Sequence, residues 1–216
     1  TKEYENFIEK AIYHKEAEIL YQKLSLKNFS SKDIEEFSIL FGKYQKLRNF
    51  YISGYFLSRA INDSKDENFT IHTKHLDSLI DCLGYRNTKN ITVNGNVRDG
   101  VGYRMQNGKI TIKGNSGDWV GWLMQNGNIT INGNARNWVG DSMKNGLITI
   151  KGNAGNWVGE LMQNGKITVK GNSGKEVGWS MENGNITING NAGNYVGYFM
   201  EIGIITVNGN AGEGVG

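Results

Sequence analysis

The residues best suited to metal binding lie near the end of the first 89 residues. His72 and His75 are close in sequence, and Asp77 and Cys82 follow them, whereas His14 stands apart. Imidazole and thiolate groups are zinc ligands, but this spacing matches no common zinc pattern. We therefore interpret His72 and His75 as solvated residues at the start of a helix, and we predict no metal site.

Two glycine-containing segments resemble ligand loops only superficially. Residues 171–176, GNSGKE, lack the GxxxxGK[ST] spacing of a phosphate loop. Asp99 and Asp118 are followed by Asn or Lys at the equivalent positions, so the repeating Asp of a calcium-binding β-roll is missing. We predict no catalytic residue and no bound cofactor, and we expect the chain not to be catalytic by itself.

A strict repeat organises the chain from residue 90 to its last residue. The period is 19 residues without insertion or deletion, and one copy reads ITIKGNSGDWVGWLMQNGN over residues 110–128. Such a period indicates one structural unit stacked on copies of itself. The alternation in I-T-[IV] predicts a strand with Ile110 and Ile112 inside. The V-G-x-x-M segment predicts a second strand, with Val120 and Met124 inside.

Stacking of the copies predicts a parallel β-helix, in which successive coils are about 4.8 Å apart. Like residues would then form columns along the helix. Asparagines of the G-N pairs would form one corner, where their side-chain amides could hydrogen-bond to one another. The inner columns would be Ile91, Ile110, Ile129, Ile148, Ile167, Ile186 and Ile205, and Met105, Met124, Met143, Met162, Met181 and Met200. Methionine can bind soft metals, but here it is better interpreted as core filler.

Other columns bear on function. We expect no pair of carboxylates to recur on neighbouring coils, which argues against a polysaccharide-cleaving β-helix.

An outward threonine column would suit an ice-binding solenoid, but lysines such as Lys113 and Lys151 would break its plane. The threonines are Thr92, Thr111, Thr130, Thr149, Thr168, Thr187 and Thr206. Ice binding remains an alternative function.

Large aromatic residues occupy two further outward columns. Exposed aromatic residues usually mark an interaction surface, although they could instead pack on the N-terminal helices. We predict that the partner-binding residues are Trp119, Trp122, Trp138, Trp157, Trp179, Tyr195 and Tyr198, with Tyr103 in the same column as Trp122.

The string V-G-x-x-M-x-N-G-x-I-T-[IV]-x-G-N-[AS]-G-x-x-V-G resembles the glycine-rich repeat of the GXGXG family. That family includes the repeat-containing subunit of formylmethanofuran dehydrogenase and the C-terminal domain of the large glutamate synthase subunit. The resemblance covers residues 91–216. It implies a right-handed β-helix without a redox centre, which helps to hold catalytic subunits or domains together.

Residues 1–89 have a different pattern and predict a small helical domain that precedes a β-helix domain over residues 90–216. Apolar spacing predicts a helix within residues 2–24, which includes Ile12. Ser30 or Ser31 would cap a longer second helix with a stripe from Ile34 to Tyr55. A third would run from Thr73 to Gly84. This domain would cover the first coil or dock a partner.

The composition restricts partners and compartment. A net charge of +3 argues against nucleic-acid binding. A single cysteine cannot form an internal disulfide and favours a reducing, cytoplasmic location. No segment resembles a membrane span or a signal peptide. The last coil would expose Ile205, Val207 and Val215, so we expect another chain or further residues of this one to cover it.

Two functions therefore remain open. The first is a non-catalytic scaffold that binds a protein partner or associates with itself. The second, implied by the resemblance, is an accessory subunit of a formylmethanofuran dehydrogenase or glutamate synthase-like oxidoreductase complex.

Overall fold

A computed structural model describes residues 2–11, 13–26, 29–47 and 49–216 of the chain. Four α-helices come first: α1 (Lys2–Lys10), α2 (His14–Lys23), α3 (Ser31–Leu40) and α4 (Ser53–Asp63). Single turns of 3-10 helix at Phe41–Lys43 and Phe50–Ile52 lie between α3 and α4. No helix of the described residues is both long enough and apolar enough to cross a membrane.

Eight short strands follow and form one parallel sheet in sequence order. Each pairs with the next in register, so that Ile110 lies beside Ile129 and Thr111 beside Thr130. The predicted parallel β-helix is therefore confirmed. The strands are β1 (Asn68–His72), β2 (Asn90–Asn94), β3 (Lys109–Ile112), β4 (Asn128–Ile131), β5 (Leu147–Ile150), β6 (Lys166–Val169), β7 (Asn185–Ile188) and β8 (Ile204–Val207).

The predicted second strand of each coil is wrong. The V-G-x-x-M segment forms turns, because Trp119, Gly121 and Leu123 have φ angles of 58°, 71° and 53° and so lie in the left-handed region. Residues of positive φ alternate here with residues that lack a positive φ, and this alternation bends the chain too tightly for a strand. Val120 and Met124 nevertheless point inward and are fully buried, as predicted.

The glycine of V-G is required for two reasons: the space around it is too small for a side chain, and its φ angle is positive. An added Cβ on Gly140 would lie 2.4 Å from Cδ1 of Ile167 on the next coil, and the residue has a φ of 72°. The isoleucine column therefore fills the space that the glycine column leaves open. Both columns predicted to lie inside, of isoleucine and of methionine, are confirmed as core, except that Ile205 and Met200 near the last coil are only half-buried.

The asparagine column forms a ladder, but not between side-chain amides. Each Oδ1 accepts a hydrogen bond from the backbone N–H of the next asparagine one coil on, as from Asn134 to Asn115 at 2.8 Å. A second ladder of the same geometry runs through the Asp99 column, where Asp118 Oδ1 accepts the N–H of Asn137 at 2.8 Å. Side-chain oxygens thus satisfy backbone donors at two corners of the coil.

The parallel sheet begins earlier than the repeat. β1 lies within the range 1–89 and pairs with β2, with Phe69 beside Ile91 and Ile71 beside Val93. The predicted third helix is wrong, because residues 73–84 form the turns of this first coil. Its length of 22 residues, from Asn68 to Asn90, exceeds the period and hid it from the repeat.

The other helical predictions are partly wrong. The first helix is divided into α1 and α2, and Ile12 lies outside the described residues. The second is divided into α3 and α4, with Ser30 as the cap: its hydroxyl accepts the N–H of Asp33 at 3.2 Å. Gly54 at the start of α4 packs closely on the first coil, since a Cβ there would lie 2.0 Å from the Asp81 carbonyl oxygen.

Aromatic residues of α3, α4 and the segment between them form the core of the helical region. Phe41, Phe50 and Phe56 are buried, and the ring of Tyr4 contacts Phe41 and Phe56 at 5.5 and 5.3 Å between centroids. The aromatic richness of this segment therefore reflects internal packing.

Candidate interaction surface

The first aromatic column is a stack of three indoles. The rings of Trp119 and Trp138 are 4.9 Å apart at 10°, and those of Trp138 and Trp157 are 4.7 Å apart at 4°. Because the ring faces cover one another, the stack presents ring edges to solvent. Glu176 occupies the next position of the column and interrupts it, while Lys175 Nζ lies 5.5 Å from the centroid of Trp157.

The second column starts in the helical region. Tyr85 packs between Tyr21 and Tyr55 on one side and Tyr103 on the other, at 4.9, 4.9 and 5.2 Å between centroids. Tyr103 then stacks on Trp122 at 4.5 Å and is buried. This part of the column joins the helices to the β-helix.

Residues of the two aromatic columns contact one another near the last coils. Trp179, Tyr195, Tyr198 and Phe199 form one cluster, in which Tyr198 lies 5.0 Å from Trp179, 5.8 Å from Tyr195 and 4.3 Å from Phe199. We name these four residues the C-terminal aromatic cluster. Tyr195, Tyr198 and Phe199 are 43%, 37% and 65% exposed, and Ile202 beyond them is 67% exposed.

Carboxylates separate the two halves of the second column. Asp141 and Glu160 hold the positions between Trp122 and Trp179, and Asp99 and Asp118 are equivalent residues of another column, so the expectation that no carboxylates recur on neighbouring coils is wrong. Burial raises the pKa of Asp141, and the pKa of Glu160 is raised by burial and by the charge of Asp141. The side chain of Trp138 hydrogen-bonds to Glu160 and opposes that shift. Adding the period to residue 141 would have revealed the pair from the sequence.

The side chains of His72, His75 and Cys82, which were considered as zinc ligands, do not lie together in the structure. His72 ends β1 and contacts Glu35 at 2.9 Å, His75 is exposed, and Cys82 is buried elsewhere. His72 therefore does not start a helix. In the described part of the chain, no three His, Cys, Asp or Glu side chains converge as a metal site.

His14 is the histidine that approaches Cys82. Its Nδ1 lies 3.8 Å from Cys82 Sγ, and its Nε2 lies 3.6 Å from Asp81 Oδ2. This order of groups resembles a Cys-His-Asp arrangement, but burial raises the pKa of the Cys82 thiol far above its usual value. A thiol that keeps its proton is a poor nucleophile, so the burial of Cys82 argues against a nucleophilic role for this residue.

Charged side chains of the described residues line two surface clefts. The larger, of about 600 Å³, lies where the helical region meets the coils and includes Tyr51, Arg98, Gly117 and Arg136. Arg98 is already paired, since its Nε lies 3.7 Å from both Asp81 and Asp99. The smaller, of about 430 Å³, contains three cationic side chains.

No family model matches the chain, and no curated protein sequence matches it. Among solved structures, a chain of the formyltransferase/hydrolase complex (FhcABCD) from Methylorubrum extorquens, in complex with methylofuran, is similar. The two share 26% sequence identity with a TM-score of 0.59, over 68% of the present chain and 58% of the other. The match therefore spans less than two thirds of that chain's length. The present chain is thus a β-solenoid that resembles a component of a multi-subunit formyltransferase/hydrolase complex.

Proposed function

We propose that this chain is a non-catalytic scaffold and that its C-terminal aromatic cluster binds a protein partner. The observation that carries the proposal is that the exposed rings of Tyr195, Tyr198 and Phe199 contact one another in a single cluster. Tyrosine and phenylalanine are enriched at interface centres because they bury a large area with few rotatable bonds.

The position of the cluster supports a protein partner. Its rings contact one another, so they are held in place before any partner binds. Preorganised side chains lose little conformational entropy on binding. Trp119 is exposed and Trp138 and Trp157 are half-buried, and because these rings stack on one another they would lie at the edge of the interface.

The helical region supports the role of a scaffold because its helices pack on the first coil. Tyr85 and Tyr103 continue the side-chain packing of α2 and α4 into the coils. We propose that the helices α1 to α4 protect the first coil, whose strand β1 would otherwise be an open sheet edge.

Affinity purification of the tagged chain from its source cells tests the proposal. The variant combines Tyr195→Glu, Tyr198→Glu and Phe199→Ser, since the coils already hold Glu176, Glu160 and Ser180 at these positions. We expect it to fold and to lose at least about 90% of the co-purifying partner, as loss of about 2 kcal/mol or more at hot spots implies.

The control variant combines Ile39→Glu with Leu40→Glu on α3, where the side chains are 53% and 44% exposed. It adds the same two negative charges and removes exposed apolar side chains far from the cluster in sequence. Equal recovery of the partner with both variants would contradict the proposed surface. Sedimentation of the purified chain would show whether the partner is a second copy.

The second candidate is an accessory subunit of a formyltransferase/hydrolase-like or related oxidoreductase complex. It is favoured by the similarity to a chain of such a complex over 68% of the present chain. The identity of the co-purifying proteins separates the candidates: catalytic subunits of one-carbon chemistry would support the second, and unrelated proteins would exclude it.

A further inference from the structure

A cationic cleft lies on the outside of the first coils, and no residue of the C-terminal aromatic cluster lines it. It has a volume of about 430 Å³, within the range of small-molecule sites. Six residues line it: Arg86, Arg104, Gln106, Leu123, Gln125 and Lys144. The lining thus has three cations, two amides and no carboxylate.

The three cations have no partner of opposite charge among the described residues, since none takes part in an ion pair. Glu18 lies near the tyrosines that precede the arginines, where it accepts a hydrogen bond from the Tyr85 hydroxyl at 3.3 Å. It pairs with neither arginine. Like charges that share a cleft repel one another unless an anion lies between them.

Packing holds the two guanidinium groups in place. Arg86 Cζ lies 5.6 Å from the centroid of the Tyr85 ring, and Arg104 Cζ lies 5.3 Å from that of Tyr103. The tyrosines are buried, so the positions of both arginines are supported by rigid rings. A guanidinium that rests on a ring keeps its N–H groups free for a planar or tetrahedral anion.

The repeat sets the spacing of the charges. Arg86 and Arg104 occupy equivalent positions of successive coils, with φ angles of 52° and 54°, so their backbones are about 4.8 Å apart. One phosphate or carboxylate can contact both. Lys144 lies two coils beyond Arg104, or about 10 Å along the axis, and is out of reach of the same anionic group.

We propose that this cleft binds a small organic molecule with two anionic ends. Arg86 and Arg104 bind the first phosphate or carboxylate, and Lys144 binds the second. Leu123 lies in the lining between them and contacts the apolar middle of the ligand, and the Gln106 side chain supplies a hydrogen bond, whereas Gln125 Nε2 already donates to the Leu123 carbonyl at 2.8 Å.

Calorimetric titration of the full chain at low ionic strength tests this proposal. The probes are inorganic phosphate, hexane-1,6-diol bisphosphate and suberate, so that the second and third, which both have six methylene groups between their ends, distinguish phosphate from carboxylate ends. We expect at least one two-ended probe to bind about tenfold more tightly than inorganic phosphate, because its second end engages Lys144.

Two variants separate the ends of the site. Arg104→Ser uses the residue that the fold already holds at Ser142 and Ser180 with similar φ angles. It should weaken inorganic phosphate and the two-ended probe alike, by about tenfold. Lys144→Gln uses the residue of the equivalent Gln125 and should weaken only the two-ended probe, by a similar factor.

The matched control is Lys151→Asn, which removes one exposed positive charge at a position where another copy has Asn132. It should change each affinity less than twofold. The proposal is overturned if neither two-ended probe binds more tightly than phosphate at millimolar concentration. It is also overturned if Lys151→Asn weakens binding as much as Lys144→Gln does, because the effect would then be one of net charge.

Discussion

At the scale of single residues, the least ordinary group is Asp81 at the junction of the helices and the first coil. Its side chain is 5% exposed, and it lies 3.6 Å from His14 and 3.7 Å from Arg98. Burial raises its pKa from 3.8 to about 7, although the charge of Arg98 opposes the shift. Burial also lowers the pKa of His14, so the contact between them is only weakly ionic near neutral pH.

This shift predicts a pH dependence of stability. The folded state keeps the Asp81 proton where the unfolded state has lost it, so the contribution is present below about pH 4 and is lost as the pH rises to 7. We expect the free energy of unfolding, relative to that of Asp81→Asn, to fall by roughly 2–4 kcal/mol over this interval.

Urea denaturation of both proteins at pH 4, 5.5 and 7.5 measures the difference. Asparagine has the same shape and does not titrate, so the wild type should lose more stability than the variant as the pH rises, and the difference between the two curves reports Asp81. Parallel stability curves would mean that Asp81 has an ordinary pKa.

Residue roles were the hardest to predict from sequence. The pairing of Asp141 with Glu160 could be found by adding the period. In contrast, the approach of His14 to Cys82 depends on how α2 packs on the first coil, which no spacing encodes. The tryptophans at φ angles near 58° were likewise unpredictable, since bulky residues seldom adopt that conformation.

At the scale of elements, the side-chain ladders connect one coil to the next. The oxygen of each asparagine receives a backbone N–H at 2.8 Å across six steps, from Asn96 to Asn210. This explains why asparagine occupies the G-N corner in every copy: a short side chain with an oxygen at Oδ1 is needed there.

Asn134→Ala should lower the free energy of unfolding by about 0.5–1.5 kcal/mol, because the N–H of Asn153 loses its acceptor. The control is Asn132→Ala in the same coil, an exposed residue whose replacement should cost less than about 0.5 kcal/mol. Thermal denaturation followed by circular dichroism measures both. If the two variants melt at the same temperature, the ladder does not contribute to stability.

Secondary-structure elements could be predicted where a single sequence pattern determines them. The strands β2 to β8 follow from the alternation in I-T-[IV] and the strict period. The apolar residues at V-G-x-x-M suggest a second strand, but this segment forms turns. Its left-handed backbone angles arise only when the coil closes on itself, so the apolar pattern does not reveal them. β1 has the same alternation in Phe69 and Ile71, but its longer coil breaks the period.

At the scale of the whole molecule, the helices pack on the first coil, where Tyr21 of α2 and Tyr55 of α4 contact Tyr85, and the C-terminal aromatic cluster lies several coils further along the chain. The β-helix could be predicted almost completely, because every coil repeats the same information. The site could not, since the repeat makes the columns visible but does not show which aromatic residues stack on one another and which remain exposed.

Site-directed photocrosslinking in the source cells tests the central claim most directly. A photoreactive benzoyl-phenylalanine replaces Phe199 in the cluster or, as the control, Leu147, which is 36% exposed on β5. We predict a discrete product that joins the chain to one partner protein from position 199 and none from position 147. The absence of a product at 199, or the same products from both positions, would contradict the assignment of this surface as the docking site of a scaffold.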